Sequence, residues 1–319
     1  MITVALAGDA MLGRQVGDAI ARSDPRSLVD AAVVEAAAEA DLFVLNLECC
    51  ISERGERWPD PWKPFFFRAP VAAVELLTHL RVDCVTLANN HALDFGAEAL
   101  LDTFEHLRAA GIALVGAGAD EDAARAPVVL AAGASRLAVV AFADHPHDFA
   151  AGPGRPGIAF AELEPQLSGW VAAAVGGVDA DAVLVSPHWG ANMTTEPTPA
   201  IRAAAESLVE AGATLVAGHS AHVFHGVADR VLFDLGDFLD DYIVDPVLRN
   251  DLGVLVLATL DEDGPIRLEA IPLELDFCHT RLARGEKAAW VRRRFRDACA
   301  ALGTEASEEE GRVVVSWDR

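Results

Sequence analysis

The chain has 319 residues, of which 52% are hydrophobic and 23% charged, so it can bury a sizeable core in one large domain or two ordinary ones. A formal net charge of −24 disfavours non-specific binding to nucleic acids and to anionic membrane surfaces, because those partners are themselves negative. The five cysteines are odd in number and lack Cys-x-x-Cys spacing, which argues against a disulfide framework and a zinc ribbon.

The N-terminal residues enter an apolar strand pattern at once. They show no basic segment, no long apolar segment and no cleavage signal of a secretory leader. No later apolar stretch is both long enough and free enough of charge to cross a bilayer. We therefore expect a cytoplasmic protein with no membrane anchor and no nucleic-acid partner.

Short apolar runs alternate with Ala- and Leu-rich amphipathic stretches over the first two thirds of the chain. The predicted strands lie at residues 2–7, 42–47, 84–87, 112–115, 137–142, 182–186 and 214–217. The predicted helices lie between them, at residues 28–39, 71–80, 97–110, 164–175 and 199–211. Strands that alternate with helices are typical of an α/β fold.

The last third of the chain has a different pattern. Its strand-like runs lie at residues 231–235, 252–259 and 266–275. A final helix is predicted at 286–302, and a short apolar tail follows at 313–315. Because no internal repeat and no linker is evident, we expect a single domain over residues 1–319, with the helix and tail of 286–319 packed on it.

Two loops interrupt the alternation of strands and helices. Residues 52–70 are rich in proline and aromatic side chains, and residues 144–156 contain several glycines and prolines together with His145 and His147. Loops of this length in compact enzymes are often lids or binding loops. The two histidines could line a pocket rim, although exposure at the surface is the favoured interpretation.

Side chains that can bind metal directly follow several of the apolar runs. They are Asp9, Glu48, Asn90, His91, His188, His219 and His222. In open α/β sheets ligands gather beyond the carboxyl ends of the strands, so groups from five strand ends should converge. Carboxylates, an amide oxygen and imidazoles suit a divalent ion such as Mn²⁺, Zn²⁺ or Fe²⁺. Any one of these residues alone is more often structural, but five successive strand ends favour a metal site.

The chain also resembles a known family in six motifs. They are GDAMLGR, NLECCIS, LANNHALDFG, HWGANMTTEPTP, GHSAHV and LFDLGDF. On these motifs, and over residues 2 to about 272, it is similar to the CapA-like poly-γ-glutamate capsule-biosynthesis proteins of the calcineurin-like metallophosphoesterase superfamily. The resemblance implies a metallophosphatase-like four-layer α-β-β-α sandwich, in which two sheets are flanked by helices and a two-metal site lies at the strand ends.

The resemblance also implies a division of the metal ligands. Glu48 would bridge two ions. One ion would be completed by Asn90, His188 and His219, and the other would be bound by Asp9 and His222.

His91 resembles the catalytic histidine of the superfamily. Asp94, three residues further on, would accept its second N–H and select its tautomer. The first motif of the superfamily usually supplies a histidine where this chain has Met11, so one metal site lacks a protein ligand and the protein holds one or two ions. His225 is expected to be structural.

Four residues are candidates for substrate binding. Arg14 would hold an anionic group, with a surface ion pair as the alternative interpretation. Lys63 and Arg68 lie on the aromatic-rich loop, where a lid would place cations, with solvated charges as the alternative. Asp237 follows a strand and would contact the substrate or a metal ligand, with a role in a turn as the alternative.

Three functions are compatible with these residues. The first is a metal-dependent hydrolase in which a metal-activated water attacks a phosphoester or amide bond of a small or peptide-like substrate, with His91 as general acid. The second is a non-catalytic accessory role in making poly-γ-glutamate or another γ-linked peptide, against which the absent membrane anchor weighs. The third is a metal-binding module that lost catalysis together with the first-motif histidine. A homo-oligomer is compatible with each.

Overall fold

A computed structural model of the protein describes residues 1–317. The strands are β1 (Ile2–Ala10), β2 (Leu42–Leu47), β3 (Cys50–Ile51), β4 (Arg68–Ala69), β5 (Cys84–Thr86), β6 (Ala113–Val115), β7 (Ala117–Gly118), β8 (Val128–Ala132), β9 (Ser135–Ala143), β10 (Gly157–Ile158), β11 (Ala182–His188), β12 (Leu215–Ala217), β13 (Val227–Ala228), β14 (Val231–Leu232), β15 (Asp237–Leu239), β16 (Leu252–Asp261), β17 (Gly264–Leu275), β18 (Thr280–Leu282), β19 (Ser307–Glu309) and β20 (Arg312–Ser316). The helices are α1 (Arg14–Arg22), α2 (Ala31–Ala37), α3 (Ala73–His79), α4 (Gly96–Ala109), α5 (Glu121–Arg125), α6 (Gly169–Gly177), α7 (Pro199–Glu210) and α8 (Gly285–Ala301).

Two large sheets form the centre of the protein. The first has ten strands, with the order β19-β20-β17-β16-β1-β2-β5-β6, with β15 beside β1 and β18 beside β17. Its strands β1, β2, β5 and β6 are parallel, and β16 is antiparallel to β1. The second has six strands in the order β13-β14-β12-β11-β9-β8, of which β9, β11, β12 and β14 are parallel.

Alternate side chains of β9 show how the layers are stacked. Val139 and Ala141 belong to the core that contains the first sheet, whereas Ala138 and Val140 pack with residues of α6 and α7 such as Leu208. Successive side chains of a strand point to opposite faces, so one face of the second sheet meets the first sheet and the other is covered by helices. Helices α2, α3 and α4 contribute their apolar residues to the core of the first sheet. The predicted four-layer α/β fold is therefore confirmed.

The C-terminal helix packs on this sandwich. Phe295 of α8 is fully buried, with its ring 6.0 Å from that of Phe224. Strand β20 pairs antiparallel with β17 and extends the first sheet. The helix and most of the tail predicted at 286–319 thus contact the sheet, and residues 318–319 lie outside the described part of the chain. None of the helices within residues 1–317 is long and apolar enough to cross a membrane.

Some elements differ from the prediction. Helix α1 was not predicted, because only Val16 and Ile20 carry an apolar i, i+4 pattern in an otherwise polar segment. The helix predicted at 28–39 is shorter, since α2 begins at Ala31 after a 3-10 turn at Pro25–Leu28. Strand β8 was also missed. Its half-buried and exposed positions alternate, but all of them carry small or aliphatic residues, so the sequence shows no alternation of apolar and polar residues.

Candidate metal centre

A close approach of two strands places Asp9 at the carboxyl end of β1. The strand pairs in parallel with β15 so that Asp9 lies beside Asp237, and the Asp9 amide donates to the Gly236 carbonyl at 2.9 Å. A Cβ on Gly8 would lie 1.8 Å from that carbonyl oxygen, and Gly236 has φ +70°. Both glycines are therefore required for the two aspartates to lie side by side.

Five of the six predicted ligands come from the ends of strands in both sheets and lie close together. Nδ1 of His219 lies 2.9 Å from Asp9 Oδ1, and Nδ1 of His222 lies 3.5 Å from Asp9 Oδ2. Nε2 of His188 lies 3.8 Å from Glu48 Oε1. All five side chains are buried, so residues as distant in sequence as Asp9 and His222 form one enclosed polar cluster.

Two groups in this cluster have the spacing of a metal site. Ligand atoms of Asp9, Glu48 and His188 all lie within 4.8 Å of one another. The same holds for Asp9, His222 and Asp237. Asp9 belongs to both groups, so the two groups adjoin each other.

Buried atoms without hydrogen-bond partners test whether a cation fits. Among the described residues, both carboxylate oxygens of Glu48, Nε2 of His188, Oδ1 of Asn90 and Oδ2 of Asp237 have no partner. Burying such atoms unpaired costs free energy, most of all for a carboxylate. The four oxygens are acceptors and therefore metal donors, and Nε2 of His188 is one in the tautomer with its hydrogen on Nδ1, so the residues present fit a divalent cation of the hard or borderline type.

The electrostatics of the cluster agree with this fit. Burial raises the pKa of Glu48 well above its ordinary value, and the neighbouring Asp9 carboxylate raises it further. Burial, followed by the charge of Asp240, likewise raises the pKa of Asp237. Burial, the largest single influence, would raise the pKa of Asp9, but the hydrogen bond from His219 and the charges of His219, His188 and His222 together outweigh it and the net shift is downward. Glu48 and Asp237 are therefore costly to ionise in this cluster, and a cation would stabilise their ionised form.

His91 is oriented by hydrogen bonds that centre on Asp94. Its Nδ1 lies 2.6 Å from Asp94 Oδ2, which also accepts from the Phe67 amide at 2.7 Å. Its Nε2 lies 3.9 Å from Glu48 Oε1, and burial lowers the pKa of the ring despite the contact with Asp94. The Nδ1 contact and the Phe67 ring, 4.5 Å away, hold the imidazole with Nε2 on the side of Glu48.

The predicted substrate-binding cations lie on the rim, but two are occupied by the protein itself. Lys63 Nζ donates to the Asn90 carbonyl at 2.7 Å and lies 3.1 Å from Asp94 Oδ1. Arg68 donates to two loop carbonyls and lies over the Phe95 ring at 4.2 Å. Lys63 thus anchors the aromatic-rich loop against the pair formed by His91 and Asp94.

Arg14 combines an ion pair with a free donor. Its Nε lies 3.2 Å from Asp241, and one terminal nitrogen is buried without a hydrogen-bond partner. Its guanidinium also lies 5.0 Å from the centre of the Phe65 ring. Together with Arg57 and Arg68, it lines an open cleft of about 500 Å³ beside the centre.

Several residues that contact the cluster were not identified from the sequence. Asn46 donates from Nδ2 to Asp9 Oδ1 at 2.7 Å, and its own Oδ1 accepts from Thr86 and Asn89. Asp234 accepts from the backbone amides of Ala221 and Gly236, both at 2.8 Å. The only available signal for Asn46 was a polar residue within the apolar run LFVLNL.

Two further rings lie at the edge of the centre. The Tyr242 ring is 5.2 Å from that of His222. The His145 ring is 5.4 Å from that of His188, and Asp144 hydrogen bonds to its Nδ1. His145 therefore lines the rim and is only partly exposed, whereas His147 is exposed, as expected.

Comparison with known proteins agrees with the motifs. Residues 3–242 match the family described as bacterial capsule synthesis protein PGA_cap. A probable polyglutamine synthesis accessory protein of Mycobacterium tuberculosis (strain H37Rv) is 34% identical over 272 residues, which cover 79% of this chain and 70% of the relative. The capsule biosynthesis protein CapA of Bacillus anthracis is 27% identical over 286 residues, which cover 86% of this chain and 67% of the relative.

Solved structures resemble the chain in fold. A phosphatase from Mycoplasma pneumoniae aligns with a TM-score of 0.54 at 14% identity, covering 86% of this chain and 94% of that one. A hypothetical protein from Thermus thermophilus aligns with a TM-score of 0.53 at 16% identity, and the alignment covers 86% of this chain and 100% of that one. At such low identities these likenesses concern the fold alone. The chain therefore belongs to the PGA_cap family of bacterial capsule synthesis proteins, the CapA-like proteins, and has a metallophosphatase-like fold.

Proposed function

We propose that the protein is a metal-dependent hydrolase that cleaves a phosphoester or amide bond in a small or peptide-like substrate. The observation that carries this proposal is the buried cluster around Asp9 and Glu48, in which unpartnered acceptor atoms lie close together. Such atoms are costly in a purely structural role, and a divalent ion would satisfy them.

One or two ions of Mn²⁺, Zn²⁺ or Fe²⁺ would be held by the predicted set of ligands. These are Asp9, Glu48, Asn90, His188, His219 and His222. Asp237, rather than contacting the substrate, would supply a further ligand on the side where Met11 offers none. When bound, a divalent ion lowers the pKa of a water molecule and polarises the bond to be cleaved.

His91 would act as the general acid. Asp94 accepts from Nδ1, so His91 can give a proton from Nε2 to the leaving group only from its doubly protonated form, which the Asp94 carboxylate stabilises. Lys63 holds Asp94 and the Asn90 carbonyl, so it would keep both in position. This role for Lys63 is one of positioning and requires no contact with substrate.

The open cleft lined by Arg14, Arg57 and Arg68 would receive an anionic part of the substrate. None of the described carboxylates forms an ion pair with Arg57 or Arg68, and Arg14 keeps one donor free. Three guanidinium groups in this cleft outnumber its two carboxylates, Asp18 and Glu53, so they would attract carboxylate or phosphate groups.

The second candidate is an accessory function in poly-γ-glutamate synthesis without hydrolysis. The printed names of the relatives favour it, because one is called a synthesis accessory protein and another a capsule biosynthesis protein. In that case the metal centre would bind a γ-linked peptide and not cleave it.

Metal analysis combined with hydrolysis assays separates the two candidates. Purified protein is supplied with Mn²⁺, Zn²⁺ or Fe²⁺ and assayed on p-nitrophenyl phosphate, bis-p-nitrophenyl phosphate and γ-glutamyl-p-nitroanilide. We expect His91→Ala to keep its bound metal and to lose turnover by a factor of about 10²–10⁴. His79→Ala, a variant at the end of α3, should match the wild type.

The possible outcomes have different meanings. Bound metal without hydrolysis of any ester or amide would favour the accessory function. Protein that takes up no divalent ion would contradict both candidates. Full turnover in His91→Ala would remove this residue from the mechanism.

A further inference from the structure

A second cavity lies behind the turn that carries His219 and His222. It is formed by the loop that follows β11, the start of α7 and one face of α8, and its volume is about 180 Å³. A cavity of only about 10–15 Å³ already holds one water molecule, so this one admits a molecule with several non-hydrogen atoms. The Met193 amide donates to the Ala221 carbonyl at 2.9 Å, which joins the wall of the cavity to the turn.

Two arginines of this cavity, Arg202 and Arg294, form no ion pair with a carboxylate of residues 1–317. Arg294 of α8 is half-buried, and no carboxylate among residues 1–317 forms an ion pair with it, although Glu196 and Asp297 are near enough to act on it electrostatically. Arg202 of α7 makes one long hydrogen bond of 3.4 Å, to the Pro197 carbonyl. Guanidinium groups prefer the paired oxygens of a carboxylate, so this side of the cavity is suited to one.

A buried histidine on the same cavity offers an unused acceptor. His225 is 3% exposed, and its Nε2 donates to the Thr194 carbonyl at 2.9 Å. A carbonyl only accepts, so the ring hydrogen is on Nε2, and Nδ1, which has no partner, is an acceptor in the neutral ring. Burial lowers the pKa of His225, and Arg294 and Arg202 act in the same direction, so the ring stays neutral.

The cavity therefore carries both hydrogen-bond donors and hydrogen-bond acceptors. Arg202 and Arg294 are donors with positive charge, whereas the exposed carboxylates of Glu196 and Asp297 and the free nitrogen of His225 are acceptors. A simple anion would leave the acceptors unpaired, and a simple amine would leave the guanidinium groups unpaired. A ligand that has a carboxylate and an N–H donor a few bonds apart satisfies both sets.

We propose that this cavity is a binding site for a zwitterion of the α-amino-acid class. The ligand carboxylate would contact Arg202 and Arg294, and its ammonium group would contact Glu196, Asp297 and Nδ1 of His225. The site is separate from the metal centre and does not depend on hydrolysis.

Calorimetric titration tests the site directly on the full-length protein. The probes are L-alanine and L-glutamate, with acetate and methylammonium as the single-charge comparators. We expect at least one of the two amino acids to bind about tenfold or more tightly than either comparator. Acetate that binds as tightly as both amino acids would overturn the zwitterion assignment, and the absence of any binding at about 10 mM would overturn the site.

Charge-neutral variants locate the binding. Arg294→Gln should weaken amino-acid binding about tenfold or more, and Glu196→Gln should weaken it in the same direction. The matched control is Arg293→Gln, whose side chain is exposed on the same helix, and its binding should stay within about twofold of the wild type. Thermal unfolding of each variant checks the fold, and since Glu196 is exposed its variant remains informative if Arg294→Gln is unstable. Equal affinity in Arg293→Gln, Arg294→Gln and Glu196→Gln would contradict the proposal.

Discussion

Glu48 is the residue whose environment is hardest to explain without a ligand. Its carboxylate is fully buried, neither oxygen has a donor within the described residues, and Asp9 lies beside it. A buried carboxylate in this condition either takes a proton or binds a cation. The same side chain therefore destabilises the metal-free fold and is the central ligand of the proposed metal site.

Replacing Glu48 by Gln should separate these two effects. We expect Glu48→Gln to lose most of its bound divalent metal, because the amide offers a weaker ligand at the centre of the cluster. In chelator the same variant should be more stable than the wild type by roughly 2 kcal/mol, because one buried charge is gone. Metal content by mass spectrometry and urea unfolding with and without chelator measure the two changes.

The control is Glu35→Gln, an exposed position on α2, which should change neither quantity. If Glu48→Gln binds metal as the wild type does, this carboxylate is not a ligand.

At the scale of elements, the contact between β1 and β15 decides the geometry of the centre. Gly8 has no room for a side chain because the Gly236 carbonyl lies where its Cβ would be. Strand β15 carries Asp237, so any separation of the two strands also moves Asp237 away from Asp9. Close packing of the two backbones therefore holds Asp9 and Asp237 side by side.

Gly8→Ala should therefore be destabilising by about 3 kcal/mol, since a methyl group must push the backbone of the neighbouring strand aside. Metal affinity should fall at the same time. Urea unfolding and metal analysis provide the measurements. Gly169→Ala is the control: nothing lies within 4 Å of its added Cβ, so a neutral or slightly stabilising effect is expected. Equal stability of the two variants would show that β15 moves freely.

At the scale of the whole molecule, Glu274 links the first sheet to the C-terminal helix. Its carboxylate on β17 lies 2.5 Å from Arg281 of β18 and 2.6 Å from Lys287 of α8. The hydrogen bond from Arg281, together with that from Lys287, lowers the pKa of Glu274 from 4.5 to about 2 although partial burial acts in the opposite direction.

This shift predicts a dependence of stability on pH. Since the folded pKa lies below the unfolded one, the contribution is complete above the unfolded value of 4.5 and is lost as pH falls toward about 2. Glu274→Gln should cost about 1 kcal/mol at pH 7, because the partners are partly solvated, and the difference from the wild type should shrink toward pH 3. Urea titrations across this range measure it, with Glu262→Gln, an exposed position, as the control. A difference that is constant with pH would exclude the ion pairs as its cause.

The local pattern predicted much of the fold. Strand β2 has the predicted bounds. Strands β1, β9 and β11 also lie at predicted apolar runs, because a continuous apolar run is typical of a strand that is buried in the core. The sequence also placed residues that can bind metal at the ends of strands. Three of them, Asp9, Glu48 and His188, lie close together in the structure. The assignment of roles to them remains a prediction.

What the local pattern could not reveal depends on long-range contacts. Asp237 has the sequence context of a turn aspartate, and only the pairing of β15 with β1 places it against Asp9 and His222. Asn46 resembles any polar residue near a strand end until its hydrogen bond to Asp9 is known. Lys63 donates to the Asn90 carbonyl, a contact between distant residues that its position in the aromatic-rich loop does not reveal.

The sequence by itself determined the family, the α/β alternation and the chemical types of the ligand set, because periodicity and motifs are properties of neighbouring residues. Only the tertiary structure decided which carboxylates lack partners, which cations are already engaged, and that a second polar cavity lies between α7 and α8. The physical reason is that burial and hydrogen bonding join groups far apart in the chain, such as Asp9 and His219, and no local pattern records their distance.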